Sequence, residues 1–345
     1  MSDYSQTVSD TGERTPSGSG RSGKHRQQKS RRARPKPART LKKKEIIAVA
    51  AVLGTLVVGV LAFLAYEYFS VGAKLAPARV ERKAIEAVLD DAPALGDPNS
   101  GYSYILLLGN DSTSGNTRTD TILLARLSSA DKSVLLLSIP RDTRTEVPGH
   151  GVTKVNHASA YGGVPLTIET VQKLTGLPVN HYVQVDFVGF ASIVDALGGI
   201  DMYVDRPVDY GQGIIVGTGM QHLNGAKALS VVRNRQAYSN GDFGRIKTQQ
   251  AFLSAVARKA AAERNFSRLT SVMNAGANHV KTDMSVADIV ALFGEYRGAA
   301  SKEIPSYTIP ATTGTISGVS YVIPKAEEMK ALLEAIQRGE FPSEE

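Results

Sequence analysis

A run of 21 residues without a charge, Ile46 to Tyr66, divides this 345-residue chain into parts that cannot share one fold. At about 1.5 Å per helical residue it spans roughly 31 Å, enough for the hydrocarbon core of a bilayer. It starts too late and is too long for a cleaved signal peptide. It runs on into Tyr66-Glu67-Tyr68-Phe69, an aromatic belt suited to the membrane interface, so a transmembrane helix is expected over residues 45–69. Lys42, Lys43 and Lys44 precede it and place the N-terminus in the cytoplasm. The expected topology is a single-pass plasma-membrane protein with everything after about Ser70 extracytoplasmic.

Charge follows the same division. Residues 1–44 hold 13 Lys and Arg against three acids, a net +10; the whole chain carries +7, so the part after Lys44 sums to −3. The tail is rich in Ser, Gly, Pro, Gln and Arg and has too few apolar residues to offset its ordering entropy, so it reads as disordered. Beside a membrane span, its basic charge fits anionic lipid better than nucleic acid, and no nucleic-acid partner is expected. With no cysteine in the chain, disulfides and thiol chemistry are excluded.

Residues 70–100 read as a stalk with a short helical pattern over Arg82–Leu89, and one domain follows over 101–345. Tyr104–Leu108 is a continuous apolar run, the pattern of a strand buried on both faces. Thr121–Arg126 and Ser133–Ile139 read as an antiparallel pair across a Ser-Ser-Ala-Asp turn. Helical patterns at Val164–Leu174, Phe187–Leu197, Ala226–Val231, Asp242–Glu263, Ser285–Tyr296 and Lys325–Gln337 alternate with strands at Tyr182–Val185, Ile200–Val204 and near Tyr307. The expected fold is α/β, a single domain with a central mixed sheet flanked by helices and preceded by one transmembrane helix.

Set into this apolar frame are Arg118, Arg141, Arg233, Arg235 and Arg245, with Asp111 and Asp120. Guanidinium forks and paired carboxylates suit a pyrophosphate and its divalent metal. Asp111 ends the first strand and Asp120 opens the second, so the two can share one Mg²⁺; a turn residue and a strand cap would look the same. In Ile139-Pro140-Arg141-Asp142-Thr143 a rigid turn fixes Arg141, or else Arg141 and Asp142 form a surface turn. On an extended segment Arg233 and Arg235 share a face, which costs energy unless an anion lies between them. Arg245 and Gln249 lie four apart on the long helix and point the same way. Lys154 is the least constrained charge. The glycine runs Gly211-Gln212-Gly213 and Gly217-Thr218-Gly219 make no P-loop, and the six histidines show no zinc spacing. Ser129-x-x-Lys132 matches the penicillin-binding signature only formally, because Ser129 lies in a turn.

Leu107-Leu-Gly-Asn-Asp111, Arg118-Thr-Asp120, Ile139-Pro-Arg141-Asp142-Thr, Lys154-Val-Asn-His-Ala158, Tyr161-Gly-Gly163, Val194-Asp-Ala-Leu-Gly-Gly-Ile200, Leu223-Asn-Gly225, Val232-Arg-Asn-Arg235 and Asp242-x-Gly-Arg245-x-x-x-Gln249-Gln250 occur in order over about residues 102–260. As a set they resemble the LytR–CpsA–Psr family, also described by a cell-envelope-related transcriptional attenuator domain. The resemblance implies a phosphotransferase that moves a glycopolymer from a polyprenyl-pyrophosphate carrier to peptidoglycan. It further implies Mg²⁺ (or Mn²⁺) on Asp111 and Asp120, with Arg118, Arg141, Asp142, Arg233, Arg235 and Arg245 as catalytic residues. Gln249 would join the clamp and Lys154 would reach the head-group side. The carrier lipid would lie between sheet and helices, with Phe187, Phe190, Val194 and Phe252 as candidate walls, and Leu106, Ile122, Leu124, Leu135, Leu137 and Val256 beside them. Asp111 or Asp142 could activate the acceptor hydroxyl. Pyrophosphate hydrolysis would differ only in water replacing that hydroxyl. A non-catalytic envelope regulator would call for a DNA-binding fold that residues 1–44 do not supply.

Overall fold

Nine residues from Tyr102 to Asn110 form the strand (β1) on which the rest of the domain is laid. Its Ile105–Leu108 stretch is apolar on both faces because helices cover it from both sides. In this computed structural model residues 68–92, 101–110, 119–209, 215–234, 242–264, 266–300 and 304–340 are described. The expected transmembrane helix falls almost wholly outside them. No helix among the described residues is long and apolar enough to cross a membrane.

β1 pairs antiparallel with β2 (Thr119–Ser128), which pairs antiparallel with β3 (Val134–Ser138). A hairpin, β4 (Arg144–Val147) and β5 (Gly151–Lys154), leads into helix α2 (His157–Thr175); helix α1 (Arg79–Glu86) lies earlier in the chain, after a helical stretch over residues 68–75. β6 (His181–Asp186) returns parallel to β1, as a crossover through α2 dictates. Then come α3 (Phe187–Ala196), β7 (Ile200–Val204), β8 (Val208–Asp209), β9 (Ile215–Val216), β10 (Gly219–Leu223), α4 (Gly225–Arg233), α5 (Asp242–Ala262) and α6 (Phe266–Gly276). The chain ends with β11 (Val280–Thr282), α7 (Val286–Ala300), β12 (Ser306–Thr308), the hairpin β13 (Ala311–Ile316) and β14 (Val319–Pro324), and α8 (Ala326–Arg338). The central sheet has the order β11-β6-β1-β2-β3-β12 and is mixed.

Strand alternation sends Leu106, Ile122, Leu124, Leu135 and Leu137 to one face, where they pack with Val164, Ile168 and Val171 of α2, Ile85 of α1, and Leu333 and Ile336 of α8. Each such side chain contributes about 1.5–3 kcal/mol by burial. The other face carries Ile105, Ala125 and Leu127 under Met284, Leu292 and Tyr296. A separate cluster of Val194, Ile200, Met202, Leu223, Val231 and Phe252 ties α3, α4 and α5 to the small β7–β10 ribbon.

Two expectations change here. The segment read as a stalk packs into the domain where it is described. Ile85 is fully buried in the main core, Val71 and Leu75 sit against Ala277 and Val286, and Asp90 accepts hydrogen bonds from Val179 N (3.0 Å) and Gln172 Nε2 (2.7 Å). The apolar face of a short amphipathic helix is buried against a neighbour, so it does not stand free. The helix before β6 begins at His157, earlier than the periodicity from Val164 suggests. Gly162 and Gly163 break its backbone, and Gly163 has φ 65, so regular helix resumes only where the pattern becomes visible.

Candidate functional site

The second face of the sheet is not filled along its whole length. Between Leu107, Leu123 and Val183 below and α3, α4 and α5 above lies a cavity of about 680 Å³. Phe187, Phe190, Leu229, Val232, Phe252 and Leu253 give it apolar walls, and Phe190 stacks on Phe252 at 4.4 Å between ring centroids. Asp120, Asp186, Arg233, Asn234, Arg245 and Gln249 also line it. An apolar pocket with a few convergent polar groups is the usual form of a ligand site.

Local structure aims each polar group. Asp186 caps α3 by accepting from Gly189 N (2.8 Å), and His279 Nδ1 holds its other oxygen at 3.0 Å. Phe187, the first residue of that helix, lies under Arg233, whose guanidinium carbon is 4.3 Å from the ring centroid. α3 ends at Gly198 and Gly199, both left-handed at φ 78 and 82. Asn224 caps α4 by accepting from Lys227 N, and Gly225 lets the two helices meet: a Cβ there would lie 2.2 Å from Ala191 O. α5 is pinned to the sheet by Gln250, whose Nε2 donates to Ser138 Oγ (2.8 Å) and Tyr307 O (3.1 Å). One residue before that pin, Gln249 faces the cavity, and so does Arg245, which is 3% exposed.

A small cleft shares Asp120, Arg245 and Gln249 with the cavity and adds Arg141. From there the charges form a chain of alternating sign. Arg141 Nη1 donates to Asp120, Arg141 Nε lies 3.6 Å from Asp142 Oδ2, and Lys154 Nζ lies 3.0 Å from Asp142 Oδ1. All four side chains are between 20% and 26% exposed, so the chain is reachable from solvent but held in place. The turn that presents it is fixed by Thr143, whose N and Oγ1 both donate to Pro140 O, and by Asn156 N, which donates to Arg141 O.

Thus Asp120, Arg141, Asp142, Lys154, Arg233, Arg245, Gln249, Phe187, Phe190 and Phe252 gather around one cavity and its rim. Asp111, Arg118 and Arg235 lie outside the described residues, as does the Asp242 side chain. Val194 is 1% exposed inside the α3–α4–α5 cluster and is not among the cavity's lining residues. Leu106, Ile122, Leu124, Leu135 and Leu137 belong to the opposite face of the sheet: a shift of one residue along a strand inverts the face. Arg233 ends a helix rather than standing on an extended segment, because the periodicity begun at the Asn224 cap runs on to it. Asp186, Asp209 and Asn234 line the cavity without having been singled out. Asp186 at least had a signal, an acid at the C-terminal end of a buried parallel strand, where α/β ligand sites gather.

Oxygen donors gather at the end of the β1–β2 pair. In register, Asn110 faces Thr119 across the end of the β1–β2 pair, and Asp186 lies beside Asn110 on the other flank. Asn110 Oδ1 and Thr119 Oγ1 are buried with no hydrogen-bond partner among the described residues. Amide, hydroxyl and carboxylate oxygens are the kind Mg²⁺ accepts, and Asp120, next to Thr119 in the chain, supplies a carboxylate to the cavity. Among the described residues no group of three or more His, Cys, Asp or Glu could hold a metal. Asp111, the other carboxylate expected to hold a metal, lies outside the described residues.

The model of the LytR_cpsA_psr family matches residues 70–338. The chain belongs to the LytR–CpsA–Psr family. It is 34% identical over 297 residues to the polyisoprenyl-teichoic acid–peptidoglycan teichoic acid transferase TagU of Halalkalibacterium halodurans, covering 83% of this chain and 95% of the relative. Among solved structures of LytR–CpsA–Psr proteins it is similar to B. subtilis TagV (TM-score 0.63, 30% identity, covering 70% of this chain and 99% of that one). It is also similar to TagT bound to LI-WTA (TM-score 0.61, 27% identity, 70% and 92%).

Proposed function

We propose that this protein is a membrane-anchored phosphotransferase that moves a glycopolymer from a polyprenyl-pyrophosphate carrier to peptidoglycan. One observation carries the reading: an apolar cavity of about 680 Å³ opens directly onto Arg233, Arg245 and Asp120. A ligand that is greasy at one end and polyanionic at the next atom fits that junction, and the name of the H. halodurans relative specifies a polyisoprenyl-linked substrate.

In this reading the lipid lies between Phe187, Phe190, Leu229 and Phe252, and Arg118, Arg141, Arg233, Arg235 and Arg245 with Gln249 hold the pyrophosphate oxygens. An acceptor hydroxyl oxygen bonds to the sugar-linked phosphorus. The bond from that phosphorus to the bridging oxygen breaks, polyprenyl phosphate leaves, and the hydroxyl proton passes to a clamp carboxylate or to solvent. Positioning and fixed positive charge supply most of the rate in such a transfer. Mg²⁺ (or Mn²⁺) bound by Asp111 and Asp120 would neutralise pyrophosphate charge. The Ile46–Tyr66 span would hold the domain at the outer membrane surface, within reach of both substrates.

The test measures polyprenyl phosphate released by the full-length protein in detergent, with and without peptidoglycan. Release that depends on the acceptor supports transfer. Equal release without acceptor would make the protein a hydrolase, and none under either condition would leave it without this chemistry.

A further inference from the structure

The geometry points to a saccharide subsite built from Tyr321, Lys154 and Asp142, on the side of the clamp away from the apolar cavity. This rests on the transferase reading and extends it to a hairpin, β13–β14, that lies beyond the motif-bearing residues.

The placement follows contact by contact. Val322 N donates to Asp142 O (2.9 Å), and Thr143 bridges to Val322, so β14 is fastened to the turn that carries Arg141 and Asp142. Tyr321, the preceding residue, turns its ring toward Lys154, whose Nζ lies 5.8 Å from the ring centroid and 3.0 Å from Asp142 Oδ1. Opposite Tyr321 in register stands Gly314, which brings no side chain of its own, and the side chain over that glycine is Ile323 of the same strand as Tyr321. Tyr321 itself is half-buried. None of Asp142, Lys154 and Tyr321 is among the cavity's lining residues, whereas Asp120 is, and Arg141 joins the two groups.

Chemistry then selects the ligand. A pyrophosphate joined to a lipid at one phosphorus carries its sugar on the other. With the lipid in the cavity and the phosphates on the arginines, the sugar emerges past Arg141 toward Lys154 and Tyr321. A pyranose ring presents C–H groups on its face and hydroxyls at its edge. The face suits the negative π-surface of an aromatic ring, and the edge suits a carboxylate that accepts and an ammonium that donates. A bare phosphate would use Lys154 but not the ring, and a second lipid would have no use for Asp142. The acceptor is also a saccharide and approaches opposite the leaving group, so both sources share the chemistry.

The experiment uses the full-length protein in detergent with two probes, polyprenyl pyrophosphate and the same carrier bearing one N-acetylhexosamine. Wild type is expected to bind the sugar-bearing carrier more tightly. Tyr321→Ala should remove that advantage, weakening the sugar-bearing carrier about five- to ten-fold while leaving the sugar-free one unchanged. Tyr321→Phe should retain it, since the ring and not the hydroxyl makes the contact. Should Tyr321→Ala instead raise only the KM for peptidoglycan, the subsite stands with the acceptor as its source. Equal weakening of both carriers would mean a merely structural ring, and no discrimination by wild type together with an unchanged KM for peptidoglycan in Tyr321→Ala would mean no subsite; either overturns the proposal. Failure of wild type to bind either carrier would count against the transferase reading itself.

Discussion

The guanidinium carbon of Arg233 lies 4.3 Å from the centroid of the Phe187 ring, at the point where the cavity wall turns from apolar to charged. One side chain therefore serves two ends of the same ligand site: its edge lines the cavity and its face steadies a cation. A cation over an aromatic face gains about 0.5–2 kcal/mol, more where water is excluded.

Phe187→Leu keeps the apolar wall and removes the π-face. It is expected to lower kcat about five-fold, a loss of about 1 kcal/mol, with little change in KM for the carrier. Phe187→Trp should keep the rate. Steady-state kinetics on both variants checks this; equal activity of the Leu and wild-type proteins would remove the cation–π contact from the account.

Arg141 bonds Asp120 and lies 3.6 Å from Asp142, so it couples the expected metal carboxylate to the outer charges. Arg141→Ala should cut kcat about 100-fold or more, the scale seen when one preorganised charge donor is lost. Arg141→Lys should not rescue it, because a point charge cannot span both carboxylates. Unimpaired turnover in the Lys variant would show that position, not fork geometry, is all that matters.

Gln250 makes no contact with the cavity yet holds the helix that aims Arg245 and Gln249. Gln250→Leu leaves Ser138 Oγ and Tyr307 O without this donor, at a cost of about 1–3 kcal/mol. Thermal unfolding should report a lower Tm, and kcat should fall with it. A lower Tm with unchanged kcat would mean that the clamp does not depend on this pin.

Leu229 lines the cavity from α4. Leu229→Trp is expected to obstruct it, so that long polyprenyl carriers lose turnover while a carrier with a much shorter chain is still used. Chain-length profiles of KM test this directly. Equal loss for both carriers would place the lipid elsewhere.

The central sheet was legible because its strands are buried on both faces and read as apolar runs; Tyr104–Leu108 and Thr121–Arg126 fall inside the observed strands. The hairpins at Arg144–Lys154 and Ala311–Pro324 were not. Their strands are short, and apart from the alternation of Thr145 and Val147 in β4 most of their residues are exposed or only half-buried, too little pattern to mark a strand. The motifs singled out Asp120, Arg141, Arg233, Arg245 and Gln249, which the fold gathers at the cavity and its adjoining cleft, but the apolar walls of the cavity depended on strand parity. Leu107 and Leu123 face the cavity while Leu106 and Leu124 face the core, and a run of leucines cannot reveal which is which. Tyr321 lies about 180 positions from Asp142, and only the fold brings it to Lys154.

The most direct measurement follows the two phosphorus atoms of the carrier separately. With a radioactive label on the sugar-linked phosphorus, wild-type protein should deposit the label in peptidoglycan as a phosphodiester, and unlabelled polyprenyl phosphate should appear in equal amount. Label that stays with the lipid while sugar reaches peptidoglycan would contradict phosphoryl transfer at this site.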